Sequence, residues 1–492
     1  MTLTQNNKSD SAIHVWMTSE SHPGSMEWYQ KSFPIQRKLQ NSTIPSASPV
    51  SERCDLPTVS LDPDTVDQEI LGFGTSLEES TIYNLSKMSP QKREEILKKL
   101  IDPMDGAGMT LFRLTIGTAD FTAQKFYTYY DTPPKGQPDW DNQTGSGFSI
   151  QKDHEYHIID TILQLLRIAK ELGVDQEIRF FSSPWSPPGW MKLPTPESES
   201  YPDNELLLKG GAMNNDYLED LAIYYVRYLE EYTLLGIPIF AMTLQNEPYL
   251  EIDYPSCLMT PTQQAALARL LKQKIKESTI LQNFHVNPLL WGFDHNFYDG
   301  WNYVNEISHT PNWNFLDGIA FHPYGGDASD MGKIADTFPD KNVYLTERAV
   351  WGAEGASEMI TWLRNQSCSY NSWVTMLDSS TGTHQWVGTP GPTMMIQDAD
   401  HPDEYRILPE FYLLGQFARF VRPGYRRISS DEGPSRLPNA AFLSPDAKTI
   451  VLIAVNAENM ECSLRFICEN MEFITQIPAN TVATYQWNRV SC

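Results

Sequence analysis

The chain has 492 residues, 41% hydrophobic and 20% charged, a balance that excludes disorder as a whole-chain state. Its 62 acidic residues outnumber 37 lysines and arginines, and the net charge of −25 repels nucleic acid and anionic membrane surfaces. No apolar run approaches the ~20 residues of a membrane-spanning helix, so no integral membrane segment is expected. Cys54, Cys257, Cys368, Cys462, Cys468 and Cys492 are too sparse for a disulfide framework. None forms a CxxC pair, so free thiols are expected and a structural zinc is not. The opening stretch MTLTQNNKSD is polar and lacks an apolar signal core. With that terminus taken as native, the expectation is a cytoplasmic protein.

In chain order, residues 1–11 read as a flexible terminus. Residues 12–69 are rich in Ser, Asn and Pro and carry one strand-like run at 13–19. Between 70 and 421, short β-branched or aromatic runs alternate with helical patterns. The runs are 70–77, 111–117, 177–183, 239–245, 289–293, 318–322, 343–346 and 373–377. Amphipathic stretches at 89–100, 156–172, 216–235, 262–278 and 408–421 lie between or after them. The second carries Ile158, Ile159, Ile162, Leu163, Leu165 and Leu166 at spacings that make a buried helical face. Ser89-Pro90 and Thr260-Pro261 each read as an N-cap followed by proline in the first helical position.

Eight strands alternating with helices point to an α/β fold, a (β/α)8 TIM barrel. The rival is an open, doubly wound dinucleotide fold, which needs a Gly-rich turn after its first strand. Gly72-Phe73-Gly74 supplies no third glycine in place. From 422 to 492 the texture changes to short strand-like runs at 440–443, 449–455, 462–467 and 481–487. Joined by the run at 13–19, they predict an appended β-sandwich-like domain built from both termini. The loop at 132–147 is expected on the barrel face where active sites lie.

Catalytic groups of such barrels sit at the C-terminal ends of strands. There the chain places Arg113 and Asp120, Trp185 and Trp190, Asn246-Glu247, Asp294-His295, His322 with Tyr324, and Glu347. A lone glutamate at a strand end usually caps a helix or pairs with arginine. Two at matching strand ends, beside aromatic residues, suit glycoside hydrolysis by an acid and a second carboxylate. Trp185 and Trp190 fit a sugar site by stacking, and Asp120 fits it as a hydrogen-bond acceptor. His322 has no neighbouring His or Cys at ligand spacing, so no metal and no cofactor are expected.

The ordered set resembles glycoside hydrolase family 30, the family that includes lysosomal glucosylceramidase. The matching segments are Gly72-Phe73-Gly74, Arg113 with Asp120-Phe121, the string from Ser183 through Pro184-Trp185-Ser186-Pro187-Pro188-Gly189-Trp190-Met191 to Lys192, Gln245-Asn246-Glu247-Pro248, Tyr254-Pro255-Ser256-Cys257, His322-Pro323-Tyr324 and Thr346-Glu347. The resemblance spans roughly residues 12–490. It implies Glu247 as acid/base, Glu347 as nucleophile and a retaining mechanism through a covalent glycosyl ester. It also implies Asn246 on the sugar 2-hydroxyl and Asp120 and Trp185 on the far hydroxyls. Arg113 and Tyr324 stand beside the nucleophile, Tyr324 also within reach of substrate, and His322 supports the carboxylates.

Two departures bear on substrate. Met376 falls where glucosylceramidase-like members carry a tryptophan at the end of the eighth strand, and Trp386 is the candidate to replace it. Arg348 follows the nucleophile where those members have a small residue. The expected substrate is a carbohydrate or glycolipid: a β-glucoside such as glucosylceramide, or alternatively a β-xyloside or β-1,6-glucan. A non-catalytic carbohydrate-binding relative is disfavoured by the presence of both glutamates.

Overall fold

In a computed structural model, residues 13–20, 40–42, 56–380, 393–432, 437–469 and 471–489 are described. Eight parallel strands form the central sheet: Gly72–Ser76, Leu111–Ile116, Arg179–Pro184, Ile239–Thr243, Leu289–Asn296, Gly318–His322, Asn342–Leu345 and Ser369–Ser372. The last pairs with the first, Ser369 opposite Gly72 through Ser372 opposite Thr75. A bridge from Val343 to Ser367 joins the seventh strand to the eighth. The sheet is thus a nearly closed barrel. Helices Pro90–Ile101, Ile158–Leu172, Leu218–Leu234, Pro261–Glu277, Phe297–Ser308, Ala328–Thr337, Gly352–Arg364 and Pro409–Ala418 follow the strands in turn.

Local chemistry explains most of these elements. Ile158–Leu172 buries Ile158, Ile159, Ile162, Leu165 and Ile168, while Leu163 faces out, and Gly173 ends it in a left-handed conformation. Thr260 opens Pro261–Glu277 with a full capping box to Gln263. Ser89 holds the N-cap position of Pro90–Ile101, but its hydroxyl makes no cap bond. Its N–H instead donates to Asp403 Oδ1 at 2.7 Å. Gly74 lets the second strand approach, since a Cβ there would lie 1.6 Å from the Leu111 carbonyl oxygen. That close approach accounts for the glycine without a nucleotide.

The eighth strand differs from expectation. It is Ser369–Ser372, and Met376–Asp378 belongs to a separate three-stranded sheet with Met395–Gln397 and Tyr405–Ile407. The polar tetrad at 369–372 is buried because neighbouring backbone satisfies it. Asn371 Nδ2 donates to the Thr75 and Leu111 carbonyls, and Ser369 Oγ donates to Leu345 O.

Beside the barrel stands a nine-stranded sheet built from both ends of the chain. Ile13–Ser19 pairs antiparallel with Thr481–Asn488, next to Thr449–Asn456. Strands Gln40–Ser42, Thr58–Glu69, Arg426–Ser430 and Met471–Ile477 had no sequence counterpart. The sheet folds over its own core in the manner of a sandwich: Phe473 at one end of the strand order packs on Tyr485 near the other, ring centroids 5.5 Å apart. Gln416 of the last barrel helix joins the two bodies, donating to Thr18 Oγ1 and accepting from Thr484 Oγ1. Cys257, Cys368, Cys462 and Cys468 are free thiols, and no helix among the described residues is long and apolar enough to cross a membrane.

Candidate active site

Strand periodicity places the site. Inside the barrel a lower layer of Leu111, Phe181, Ala241, Trp291, Ala320 and Tyr344 packs together, with Trp291 stacked on Tyr344 at 4.1 Å. Two residues further along five of those strands come Arg113, Ser183, Thr243, His322 and Thr346, which share the inward face because side chains alternate. An apolar plug therefore carries a polar layer on top. The fifth strand breaks the rule. Its register shifts between Phe293 and His295, and Phe293 and Asp294 take positive φ angles of 68° and 66°. That bulge turns Asp294, three residues beyond Trp291, into the barrel.

Asp294 is the hub of the layer. It accepts from Thr346 Oγ1 at 2.6 Å and Ser183 Oγ at 3.3 Å, meets His322 Nε2 at 3.0 Å, and pairs with Arg113 Nη2 at 3.2 Å. Arg113, fully buried, also donates to Asn246 Oδ1 at 2.8 Å and to Glu347 Oε2. Tyr324 Oη donates to the other oxygen of Glu347 at 2.8 Å. Glu247, itself at a positive φ of 47°, has Oε1 3.1 Å from His322 Nδ1 and 3.4 Å from His295 Nδ1. One oxygen of Glu247, one of Glu347 and a nitrogen of His322 all lie within 4.8 Å of one another.

The charges in this cluster set each other's protonation. Burial raises the Glu247 carboxyl, but hydrogen bonds and charge from His295 and His322 outweigh it and bring it down to about 2. Burial also raises Asp294, and Arg113 and His322 outweigh it, so it stays well below the usual carboxylate range. Burial lowers His322, yet Glu347, Asp294 and Glu247 together hold its proton up to about 10. The Glu247–His322 contact is therefore an ion pair at rest, with the proton on His322 and Glu247 ionised.

The opposite side of the mouth is aromatic. Trp185, 2% exposed, stacks on Trp373 at 4.9 Å and 21°, with the Arg113 guanidinium 4.6 Å from its ring. Phe121 meets Trp373 edge-on at 6.1 Å, and Tyr254 packs beside them. Trp185 therefore has no free face left for stacking. Trp190 is a packing residue, set against Tyr130 and Tyr217 and donating to Tyr130 O at 2.8 Å. Asp120 is buried next to Phe121; burial raises the Tyr254 phenol, and the nearby Asp120 charge raises it further.

Met376 does not open the sugar site. Its side chain is fully buried in the main core, with its backbone bonded to Thr81 and Asn84. Trp373, at the end of the true eighth strand, supplies the aromatic surface instead. Trp386 lies outside the described residues. The Arg348 guanidinium lies over the Tyr324 ring, 5.1 Å from its centroid.

The structure thus brings together Glu247, Glu347, Arg113, Asn246, Tyr324 and His322, with Trp185 and Asp120 alongside. Asp294, His295 and Trp373 had been given no role by the sequence. The first two had a signal, their place at a strand end. The Glu247, His322 and Glu347 atoms are spaced as cation ligands would be, but Arg113 already supplies the positive charge there. Asp398, His401 and Glu404 form a second such group on the exposed side of a turn.

A family model described as glycosyl hydrolase family 30 TIM-barrel domain matches residues 70–421. An endo-1,6-β-D-glucanase of Aspergillus fumigatus is 25% identical over 456 residues, 89% of each chain. Lysosomal acid glucosylceramidase of Mus musculus is 25% identical over 454 residues, 88% of this chain and 83% of that one. Among solved structures, an endo-β1,6-glucanase superposes with a TM-score of 0.79 at 23% identity, covering 97% of this chain and 100% of that chain. That likeness speaks for the fold.

Proposed function

The chain belongs to glycosyl hydrolase family 30 and is an O-glycoside hydrolase, and from that membership we propose that it cleaves β-glucosidic bonds with retention, β-1,6-linked glucan being its substrate. One observation carries the mechanism: oxygens of Glu247 and Glu347 stand within 4.8 Å of each other. Retaining enzymes hold their carboxyls ~5–5.5 Å apart, whereas inverting ones need ~6.5–9.5 Å to admit a water. Glu347, oriented by Arg113 and Tyr324, attacks the anomeric carbon. Glu247, taking the proton that His322 holds, protonates the leaving oxygen and then, as a carboxylate, activates water against the ester. Asn246, locked by Arg113, presents its amide to the sugar. Family relatives named as endo-1,6-glucanases support the linkage.

Proton NMR of the first sugar released from β-1,6-glucan tests retention. The β-anomer is expected before mutarotation, and the α-anomer would mean inversion and remove Glu347 as nucleophile. A parallel assay on glucosylceramide tests the linkage, since faster turnover there would reassign the substrate. Glu247→Ala should lose ~10²–10⁴-fold on the glucan and far less on aryl glucosides with good leaving groups. Added azide should restore that variant as a β-glucosyl azide. Equal loss on both substrates without rescue would reject Glu247 as the acid.

A further inference from the structure

Arg348 is the next residue after Glu347. Its backbone is fixed to the eighth strand and the residue beyond it. The Arg348 N–H donates to Asn371 O at 3.1 Å, and the Arg348 carbonyl accepts from Tyr370 Oη at 2.6 Å and from the Trp373 N–H at 3.3 Å. From that anchor the side chain reaches the end of the sixth strand, where its guanidinium lies over the Tyr324 ring, 5.1 Å from the centroid. Its Nε is buried and has no hydrogen-bond partner among the described residues.

Tyr324 is a residue that such a contact can steady. Its phenol O–H donates to Glu347 Oε1 at 2.8 Å, yet the residue is 43% exposed and Gly325-Gly326 follows it. The backbone there is held. Tyr324 N–H donates to Asn296 Oδ1 at 3.0 Å, and Gly326 packs so closely that a Cβ would lie 2.4 Å from the Tyr298 nitrogen. The ring meets His322 edge-on, centroids 6.1 Å apart at 84°. A change of χ1 to another staggered well would carry the phenol away from Glu347. A guanidinium on the ring face opposes that swing. It also draws charge from the ring, which makes the O–H a stronger donor to a carboxylate.

We propose that Arg348 is a positioning residue for the nucleophile: by holding the Tyr324 ring it keeps a hydrogen bond on Glu347 and so speeds release of that carboxylate from the glycosyl ester. The proposal rests on the retaining reading above. In that step water adds at the anomeric carbon and gives its proton to Glu247. The bond from the anomeric carbon to Glu347 breaks, and its electron pair returns to the carboxylate. A donor already aimed at that oxygen pair stabilises the returning charge. Formation of the ester consumes the same charge, so Arg348 should favour hydrolysis of the ester over its formation.

The test separates the two steps with 2,4-dinitrophenyl 2-deoxy-2-fluoro-β-D-glucoside, whose good leaving group lets the ester form and whose fluorine slows its hydrolysis. The rate of inactivation reports formation, and the return of activity after excess reagent is removed reports hydrolysis. Arg348→Met keeps most of the side chain's length and removes its charge. It should slow the return of activity about tenfold and inactivation less than ~threefold, with Tm within ~2 °C of wild type. Arg348→Lys puts a cation back and should bring the return to within ~threefold of wild type. Tyr324→Phe keeps the ring and removes the hydroxyl, and in that background Arg348→Met should add less than ~twofold. A full tenfold loss in the Phe background shows that Arg348 does not act through the phenol and overturns the proposal. Equal slowing of both steps overturns it too, as does a loss that follows Tm or that lysine leaves unrelieved. A wild-type enzyme that the reagent does not label and that turns over no aryl β-glucoside overturns the glycosidase reading beneath it.

Discussion

The two halves of the barrel mouth are built on opposite principles. On the side of the fourth to seventh strands, Glu247, Asp294, His295, His322 and Glu347 form a buried charged network around Arg113. On the other side, Trp185, Trp373, Phe121 and Tyr254 pack as a conventional core that happens to face the pocket. Buried charges tolerate almost no displacement, because each must keep a partner. Aromatic packing tolerates exchange of one ring for another. The charged half is therefore the more tightly constrained, and the proposed chemistry is fixed there, while the aromatic half and its loops are where substrate preference can change.

Removing the proposed nucleophile breaks the charged half most completely. Glu347→Ala should cut turnover of every substrate on the order of 10⁴–10⁶-fold, aryl glucosides included, since both steps need the ester. Single-turnover assays on glucan and on an aryl glucoside check it, and residual activity on either above that range would reassign the residue.

Arg113→Met leaves three buried groups, Asp294, Glu347 and Asn246, without their shared donor. Loss of one partner from a buried pair costs ~3–5 kcal/mol, and urea unfolding should show a drop of that order. A loss below ~1 kcal/mol would mean that water replaces the guanidinium and that the network is looser than its geometry.

The pH dependence sharpens the same contrast. The proton of His322 is held to about 10 in the folded state, above its ordinary 6.5. Its stabilising contribution is therefore complete below about pH 6.5 and is lost as pH rises through 10. Glu247 and Asp294 are lowered, so their contribution is present above their ordinary values and fades on acidification. His322→Gln should flatten the fall in Tm between pH 7 and 10 and move the alkaline limb of kcat/KM to lower pH. Parallel Tm curves for wild type and variant would show that His322 is not the titrating group.

The smallest effect is expected in the aromatic half's support. Met376→Leu conserves volume in a packed core and should cost less than ~1.5 kcal/mol. It should also leave the ratio of glucan to glucosylceramide turnover where it was. A shifted ratio would return Met376 to the substrate site.

Much of this protein was legible without coordinates, and the reason is periodic. Strand and helix repeats are local, so the alternation of elements predicts the barrel, and His322 and Glu347 fall at strand ends by counting alone. The run at 13–19 was readable for the same reason, as a strand of alternating burial. Tertiary structure decided what depends on distant partners. The fifth-strand bulge that aims Asp294 inward departs from the two-residue period. The eighth strand hides in the polar Ser369–Ser372, which is buried only because the Thr75, Leu111 and Leu345 carbonyls receive its side chains. Thr58–Glu69, with Pro63 and four acids, pairs with Arg426–Ser430 and Cys462–Cys468 from the far end of the chain. The Trp185–Trp373 stack joins residues from the third and eighth strands. Sequence periodicity says which face a residue occupies, but only closure of the barrel says which residue it will meet there.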